Sequence, residues 1–416
     1  MYDKASLALI PSGYKGGSPN GTLYSVLPAN GDGDFDFTRA TSATRVNKDG
    51  LIESVASGVP RLDYPLIDGV VQDCPALLLE PSRTNLVTYS EELTQWGTSG
   101  TPIVTAVNNT LTGQTNAYTL EDDNSSGYER IERYATTTAA AHTLSVFIKK
   151  KTSAVSAYSG IQMDVNNKYI IFDSYNGSFN TATGNNYTEI SVDDYGSYWR
   201  LKATATTSSG STRVALYGAI SVDGTSISAS ATGSETFYGV QVELGSYATS
   251  YIPTSGSSVT RNADECNGAG TSAEFNDSEG VLFAEIAALA NDGTVRRIAI
   301  PNTGVTGLHR IELSSTDNKV FGVTYVSPSN QAAMSYTLPD VTTFFKIAYK
   351  YKANDFALWV NGVEVGVDPS GSVPTGLTKL NFDDGSGGND FYGKVKQLMV
   401  FNEALTDAEL IELTTI

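Results

Sequence analysis

The stretch "ALWVNGVEVG", Ala357–Gly366, sets two arms of apolar and β-branched residues on either side of the dipeptide Asn361–Gly362. Asn and Gly tolerate the positive φ angles of a two-residue type I′ turn, whose twist matches that of the strands it joins, so the stretch predicts a β-hairpin. Side chains alternate between the two faces of a strand. Leu358 and Val360 therefore share one face, and Trp359 takes the other in company with Asn361.

The same period of two extends on both sides of this hairpin. From Ser272 to Ile416 the runs "EGVLFAEIAAL", "RRIAIPN", "HRIELSS", "KVFGVTYV", "TTFFKIAYKY" and "GKVKQLMVFN" are of strand length and are separated by turn-forming residues. The chain closes in "NEALTDAELIEL", where Thr406 followed three residues later by Glu409 makes a capping box and predicts one short helix. Between residues 86 and 262, "HTLSVFIKKK", "KYIIFDSYNGSF", "YWRLKATATT", "TRVALYGAIS" and "ETFYGVQVEL" alternate with Gly, Asn and Ser clusters, and Asn176–Gly177 predicts a further two-residue hairpin. Residues 1–85 are dense in Gly and Pro and show little periodicity, so they predict short strands and turns that dock on neighbouring sections or on other subunits. The fold class predicted is all-β: two β-sandwich (jelly-roll) modules, 86–262 and 272–416, joined by a linker at 263–271, preceded by an extended N-terminal anchoring and assembly segment and closed by the short helix.

Composition agrees with this reading. Of the 416 residues 40% are hydrophobic and only 17% charged, so the surface must be covered largely by Ser, Thr, Asn, Gly and Tyr. Such a profile suits β-rich proteins that act outside cells. The 45 acidic residues outweigh 27 basic ones, and the net charge of −18 argues against nucleic acid or an anionic membrane as partner. "IKKKTS", Ile148–Ser153, is read as a solvated strand edge. Cys74 and Cys266 stand far apart, so a disulfide framework does not hold the chain together, although a single long-range bridge stays open. The apolar run at Leu7–Ile10 is too short for a signal peptide, and no stretch approaches the roughly 20 apolar residues of a membrane span. These features predict a soluble chain that is not exported by the usual signal route.

At this point two resemblances bear on the reading. "ALWVNGVEVG" followed by "GKVKQLMVFNEALTDAELIEL" resembles the concanavalin A/laminin-G-like lectin sandwich, in which the last strand leads into a capped helical turn. "YGSYWRLKATAT" and "FYGVQVELGSYATSYIPTSGSSVTR", with "LEPSRTNL" ahead of them and "FTRATSATRVNKDGLIE" nearer the N-terminus, resemble the carbohydrate-binding-module-like jelly rolls of bacteriophage tail and head fibre proteins. The resemblance implies a virion appendage: a fibre or receptor-binding subunit, located on the virion, that associates with itself as a trimer, with other virion proteins through its N-terminal segment, and with host-surface glycans.

Arginine placement supports a structural reading of the seams. Arg39, Arg45, Arg83 and Arg261 flank the middle module, and a guanidinium fork can hold a carboxylate or several carbonyls at once, so they are expected to staple extended segments to the sandwich or to a neighbouring subunit. Capture of an anionic ligand is the alternative.

Catalytic chemistry has little raw material. His142 and His309 are the only histidines, and neither lies at metal or triad spacing from a suitable partner. Glycoside hydrolysis needs only two carboxylates, but Glu274, Asp277 and Glu279 in "AEFNDSEG" do not alternate along one strand face and read as a linker. The expectation is therefore a protein without enzymatic activity. For a metal, "NFDDGSGGND" gathers Asp383, Asp384, Asn389 and Asp390 as candidate calcium ligands, with ordinary turn chemistry as the other reading. Glycan binding requires an exposed aromatic face beside amides and carboxylates, and the candidates are Trp359 with Asn361, Trp96 and Tyr195. Trp199 is expected in the core. The function expected is host attachment through glycans; a purely structural decoration protein and a polysaccharide depolymerase are the rivals.

Overall fold

The computed structural model describes residues 1–13, 21–163, 169–182 and 187–416, so part of the glycine-rich opening section lies outside the described residues. Regular structure is almost entirely strand, in agreement with an all-β fold, and the one α-helix among the described residues is Asp407–Thr414.

The middle module is a sandwich of two six-stranded antiparallel sheets. One runs, in spatial order, Gly97–Ser99, Arg130–Thr137, Gly210–Ser221, Tyr158–Met163, Tyr169–Asp173, Ser178–Ala182. The other runs Ile103–Asn109, Gln114–Asp122, Gly233–Leu244, Ala141–Lys149, Tyr198–Thr206, Tyr187–Tyr195. Alternation explains the core between them: Leu144, Val146 and Ile148 of one strand meet Leu201, Ala203 and Ala205 of its neighbour, with Val240, Ile161, Ile170 and Leu216 completing the cluster. Asn176–Gly177 departs from expectation. Asp173 pairs with Ser178, so the connection is a four-residue loop in which Gly177 has a positive φ while the Asp173 carboxylate accepts the Tyr175 and Asn176 amides. That side-chain acceptor stabilises the wider turn.

The second sandwich is built from both ends of the chain. Its large sheet runs Val363–Asp368, Phe356–Val360, Phe345–Lys352, Glu279–Ala288, Gly393–Phe401, Ala76–Leu79, Arg61–Asp63. It faces a four-stranded sheet of Arg296–Pro301, Gly307–Leu313, Lys319–Val326 and Ser329–Thr337. Residues 1–85 thus do not form a separate extended segment. Leu7–Leu9 pairs with Leu398–Val400 and Leu77–Leu79 with Gly393–Val395, covering the outer edge of the Gly393–Phe401 strand toward both of its ends. A bare edge there would leave backbone donors and acceptors unpaired, and the apolar Leu7, Leu9, Leu77 and Leu79 join the core while closing it.

Asn361 and Gly362 form the two-residue turn that the dipeptide predicted, with φ of 48° and 82° and Val360 paired to Val363. The C-terminal helix carries the expected capping box, Thr406 with Glu409. It places Leu410 and Leu413 on the face of the large sheet opposite the main core, where they bury Trp359 among Phe283, Met399 and Phe401. Trp359 is only 4% exposed, which corrects its expected role as a glycan platform: it serves a second core under the helix. Replacing it with Ala removes a buried indole, and Trp359→Ala is expected to destabilise the chain by roughly 3–5 kcal/mol in urea unfolding.

His309 is a second buried element with a measurable consequence. Its ring stacks on Tyr351 at 3.6 Å between centroids, its Nδ1 lies 2.8 Å from the Thr324 hydroxyl, and burial pushes its pKa from 6.5 down to about 3. A folded-state pKa below the unfolded one means that this contribution is whole above about pH 6.5 and is lost as pH falls toward about 3. Glu235 in the other sandwich, pushed up to about 7 by burial, titrates in the opposite sense and is common to wild type and variant. The urea midpoint of His309→Gln is therefore expected to fall less than that of the wild type between pH 7 and about pH 4.

Candidate functional site

The chain passes into and out of the middle sandwich through a short ribbon in which Arg83–Asn85 pairs with Val259–Arg261. The stretches that carry Arg83 and Arg261 are thus neighbours in space. Beside the ribbon, Glu80 and Asp264 sit buried with Arg39, Arg61 and Arg261. Arg39 bonds Asp264 at 2.9 Å and also donates to the carbonyls of Thr41, Ala56 and Val59. Arg61 bonds both carboxylates, Glu80 at 2.6 Å, and Arg261 bonds Glu80 and the Pro81 carbonyl. Burial alone would raise the pKa of Glu80, but Arg261 and Arg61 outweigh it and, with the Ser250 donors, hold the carboxyl far below its ordinary range.

Arg45 and Arg83 are placed differently. Arg45 pairs across a hairpin with Glu53 at 2.7 Å and is partly exposed, and Arg83 lies 3.8 Å from Glu243 and over the Tyr247 ring. Arg61, Glu80 and Asp264 were not singled out from sequence; the signal that could have found the two acids is their spacing, Glu80 three residues before Arg83 and Asp264 three after Arg261.

The expected calcium loop is occupied by its own donors. Asp384 accepts bonds from Ser386, Gly388 and Asn389 and lies 3.6 Å from the Arg297 guanidinium, Asp383 accepts from Gly385 and Asn381, and Asp390 accepts from Tyr392. Among the described residues no three or more His, Cys, Asp or Glu side chains are gathered as metal ligands. In the structure these side chains close a glycine-rich turn, the other of the two readings of the loop. Glu274, Asp277 and Glu279 are likewise engaged, with Thr271, with the Gly376 and Leu377 amides, and with Lys352. Cys74 is exposed and Cys266 buried, and both are free thiols.

Of the remaining glycan candidates, Trp96 is 4% exposed and donates its Nε1 to the Tyr89 carbonyl, so its face is not available. Asn361 spends its side-chain oxygen on the Lys346 amide to hold the hairpin turn. Tyr195 alone lies in a recess. It ends a strand, pairs with Tyr198 across the turn at Gly196 and Ser197, and meets Phe147 edge-on at 5.1 Å.

The recess is a groove along the seam between the two sandwiches. Its centre, a cavity of about 360 Å³, is walled on one side by Tyr195, Asp193, Arg200 and Lys202 of the middle sheet and on the other by Ala288, Phe344 and Lys394, with Arg45 and Asp63 also in its lining. Register explains this wall: with Leu201, Ala203 and Ala205 turned to the core, Arg200 and Lys202 must point outward, opposite Asp193 and Ser191. A second cavity of about 760 Å³ shares Lys202, Ala248, Leu289 and Thr342 with the centre. A third, of about 500 Å³, shares Val46, Asp63, Asp193, Tyr195 and Lys394 and extends to Trp199. Trp199 is half-buried, packed on the core yet open to this end of the groove, with Lys150 Nζ 3.8 Å from its ring centre. Inside the groove Lys202 pairs with Asp193 at 2.9 Å and Lys394 with Asp63 at 3.2 Å.

No family model and no curated protein sequence matches the chain. Among solved structures, mouse laminin α1 domains LG4-5 are similar over 74% of this chain and 96% of their own length, at 12% identity and a TM-score of 0.26. Trypanosoma rangeli sialidase in complex with the inhibitor DANA is similar over 98% of both chains at 9% identity and a TM-score of 0.29. The leech intramolecular trans-sialidase is similar over 34% of this chain at 16% identity and a TM-score of 0.28, and this chain spans 24% of that enzyme's length. Likenesses of this size carry no argument about activity, and the assignment of two sandwiches rests on the strand pairings described above.

Removing one partner of a buried ion network strands the other charge, so Glu80→Ala and Asp264→Ala are each expected to destabilise the protein by roughly 3–5 kcal/mol in urea unfolding. Arg45→Ala, which breaks a partly exposed pair, is expected to cost no more than about 1 kcal/mol.

Proposed function

We propose that the protein is a non-enzymatic attachment subunit of a bacteriophage-type virion appendage, which binds host-surface glycans in the groove between its sandwiches. The observation that carries this reading is the groove itself: three confluent cavities lined by hydroxyls, carboxylates, amines and half-buried aromatic rings, Tyr195 at the centre and Trp199 at one end. Elongated clefts at domain seams with a few aromatic faces among convergent polar groups suit saccharides, which present an apolar ring face and an equatorial rim of hydroxyls. Sequence resemblance to fibre jelly rolls supports the location on a virion, in company with other virion proteins.

Binding without catalysis is favoured by how the central carboxylates are engaged. Asp63 and Asp193 each face a lysine, and Glu80 is held by two arginines, whereas glycoside hydrolysis requires one carboxyl that keeps a proton to give. Single lectin-type sites often bind near −4 kcal/mol, about millimolar. Assembly as a trimer would raise effective affinity by about 10²- to 10⁴-fold through linkage, which fits attachment to a repetitive surface.

A glycan array and host-cell binding assay with the purified full chain tests this reading. Saturable binding without sugar release, lost in Tyr195→Ala and kept in Lys48→Ala, an exposed side chain outside the groove, is the expected result. Release of reducing ends would mark a depolymerase instead, and absence of binding to every glycan and host cell would leave a structural virion component.

A further inference from the structure

Within a chain of net charge −18, the centre of the groove collects four cations, Arg45, Arg200, Lys202 and Lys394. Three of these have a carboxylate partner: Arg45 has Glu53, Lys202 has Asp193, and Lys394 has Asp63. Arg200 is different. It is only 6% exposed, yet its guanidinium is bonded to uncharged groups, the Thr249 carbonyl at 2.6 Å, the Ser145 hydroxyl at 3.1 Å and the Tyr195 hydroxyl, and its Nε has no acceptor. The carboxylates whose charges act on it, Asp193 and Glu243, are committed to Lys202 and to Thr249 and Gln241. Phe147 lies against its other side, 5.2 Å from ring centre to guanidinium carbon. A buried cation without its own carboxylate is costly, and it persists where a fold needs positive potential at that position.

Resting on the glycan reading above, we propose that the central cavity of the groove takes a carboxylate-bearing sugar, its charge received beside Arg200, Lys202 and Lys394. The cavity's volume of about 360 Å³ is of the size that holds a compact ligand, and its two neighbours leave room for adjoining residues of an oligosaccharide. Register places Arg200 and Lys202 on one wall and the Gly393–Phe401 strand places Lys394 on the other, so an acid bound between them would touch both sandwiches. Lys202 sits in a partly exposed pair and can turn from Asp193 to a ligand at small cost, while Lys394 is about a third exposed and its buried partner Asp63 also accepts the Val46 amide. The Tyr195 hydroxyl, which accepts from Arg200, lines the same cavity.

Titration calorimetry on the full chain tests the proposal with oligogalacturonate and its fully methyl-esterified, uncharged counterpart, alongside the glycan array. Esterification is expected to weaken binding by about tenfold or more, as loss of a charged hydrogen-bonding partner does. Lys202→Gln and Lys394→Gln are expected to weaken the acid about tenfold and the ester by less; neither touches the buried arginine network, and urea unfolding of each variant checks that it is folded. Equal affinity for acid and ester, with other glycans still bound, would overturn the acidic-sugar assignment and leave the glycan reading standing. Displacement of the acid by acetate at equal concentration would overturn it as well, since the cavity would then read charge without sugar. A chain that binds nothing on the array fails at the earlier reading, a result distinct from the other two.

Discussion

The architecture depends on three buried arginines gathered around two buried carboxylates. Arg39, Arg61 and Arg261 come from different parts of the chain, and Glu80 and Asp264 stand just outside the two strands through which the middle sandwich is attached. Hydrophobic area is scarce at such a neck, because two thin strands cannot bury a core. Directional bonds replace it: each guanidinium serves a carboxylate, and Arg39 and Arg261 also hold backbone carbonyls that no ladder reaches. A network of this kind contributes less net stability than its Coulomb attraction suggests, since five charges must leave water together. What it supplies is one fixed docking geometry, because any other arrangement leaves a charge stranded.

That fixed geometry makes the groove possible. The middle sheet turns toward the seam the face that its own core does not use, bearing Asp193, Tyr195, Arg200 and Lys202. The second sandwich answers with Phe344 and Lys394, and Lys394 lies on the strand that the N-terminal strands complete. Glu80 and Ser250 belong both to the buried network and to the groove's lining, so the lock between the sandwiches and the candidate ligand site share side chains. A ligand spanning the seam would meet surfaces already held in place.

Local features were legible in the sequence wherever a short-range rule decides them. Asn361–Gly362 makes its tight turn because both residues accept positive φ, and Thr406 with Glu409 caps the helix because the partners are three residues apart. Asn176–Gly177 carried the same dipeptide signal, but Asp173 supplies acceptors that hold a wider loop. Trp359 was legible as to its face and not as to what covers that face, since the covering residues, Leu410 and Leu413, follow some fifty positions later. Trp96 was misjudged for a related reason: a turn-rich stretch reads as exposed until its own indole is seen bonding back to the Tyr89 carbonyl.

By itself the sequence determined an all-β chain of alternating strands, one capped helix, an acidic surface, and arginines concentrated at the seams of the middle module. All of these follow from periodicity, turn chemistry and composition, which act over a few residues. Only the tertiary structure decided that strands near the N-terminus complete the C-terminal sandwich, that Arg61, Glu80 and Asp264 complete the arginine network, and that Arg200, Lys202 and Lys394 face one another across a groove. Each depends on pairing between residues separated by tens to hundreds of positions. No spacing in the chain encodes such pairings, because they are chosen by which exposed edges and uncompensated charges find each other when the whole molecule closes.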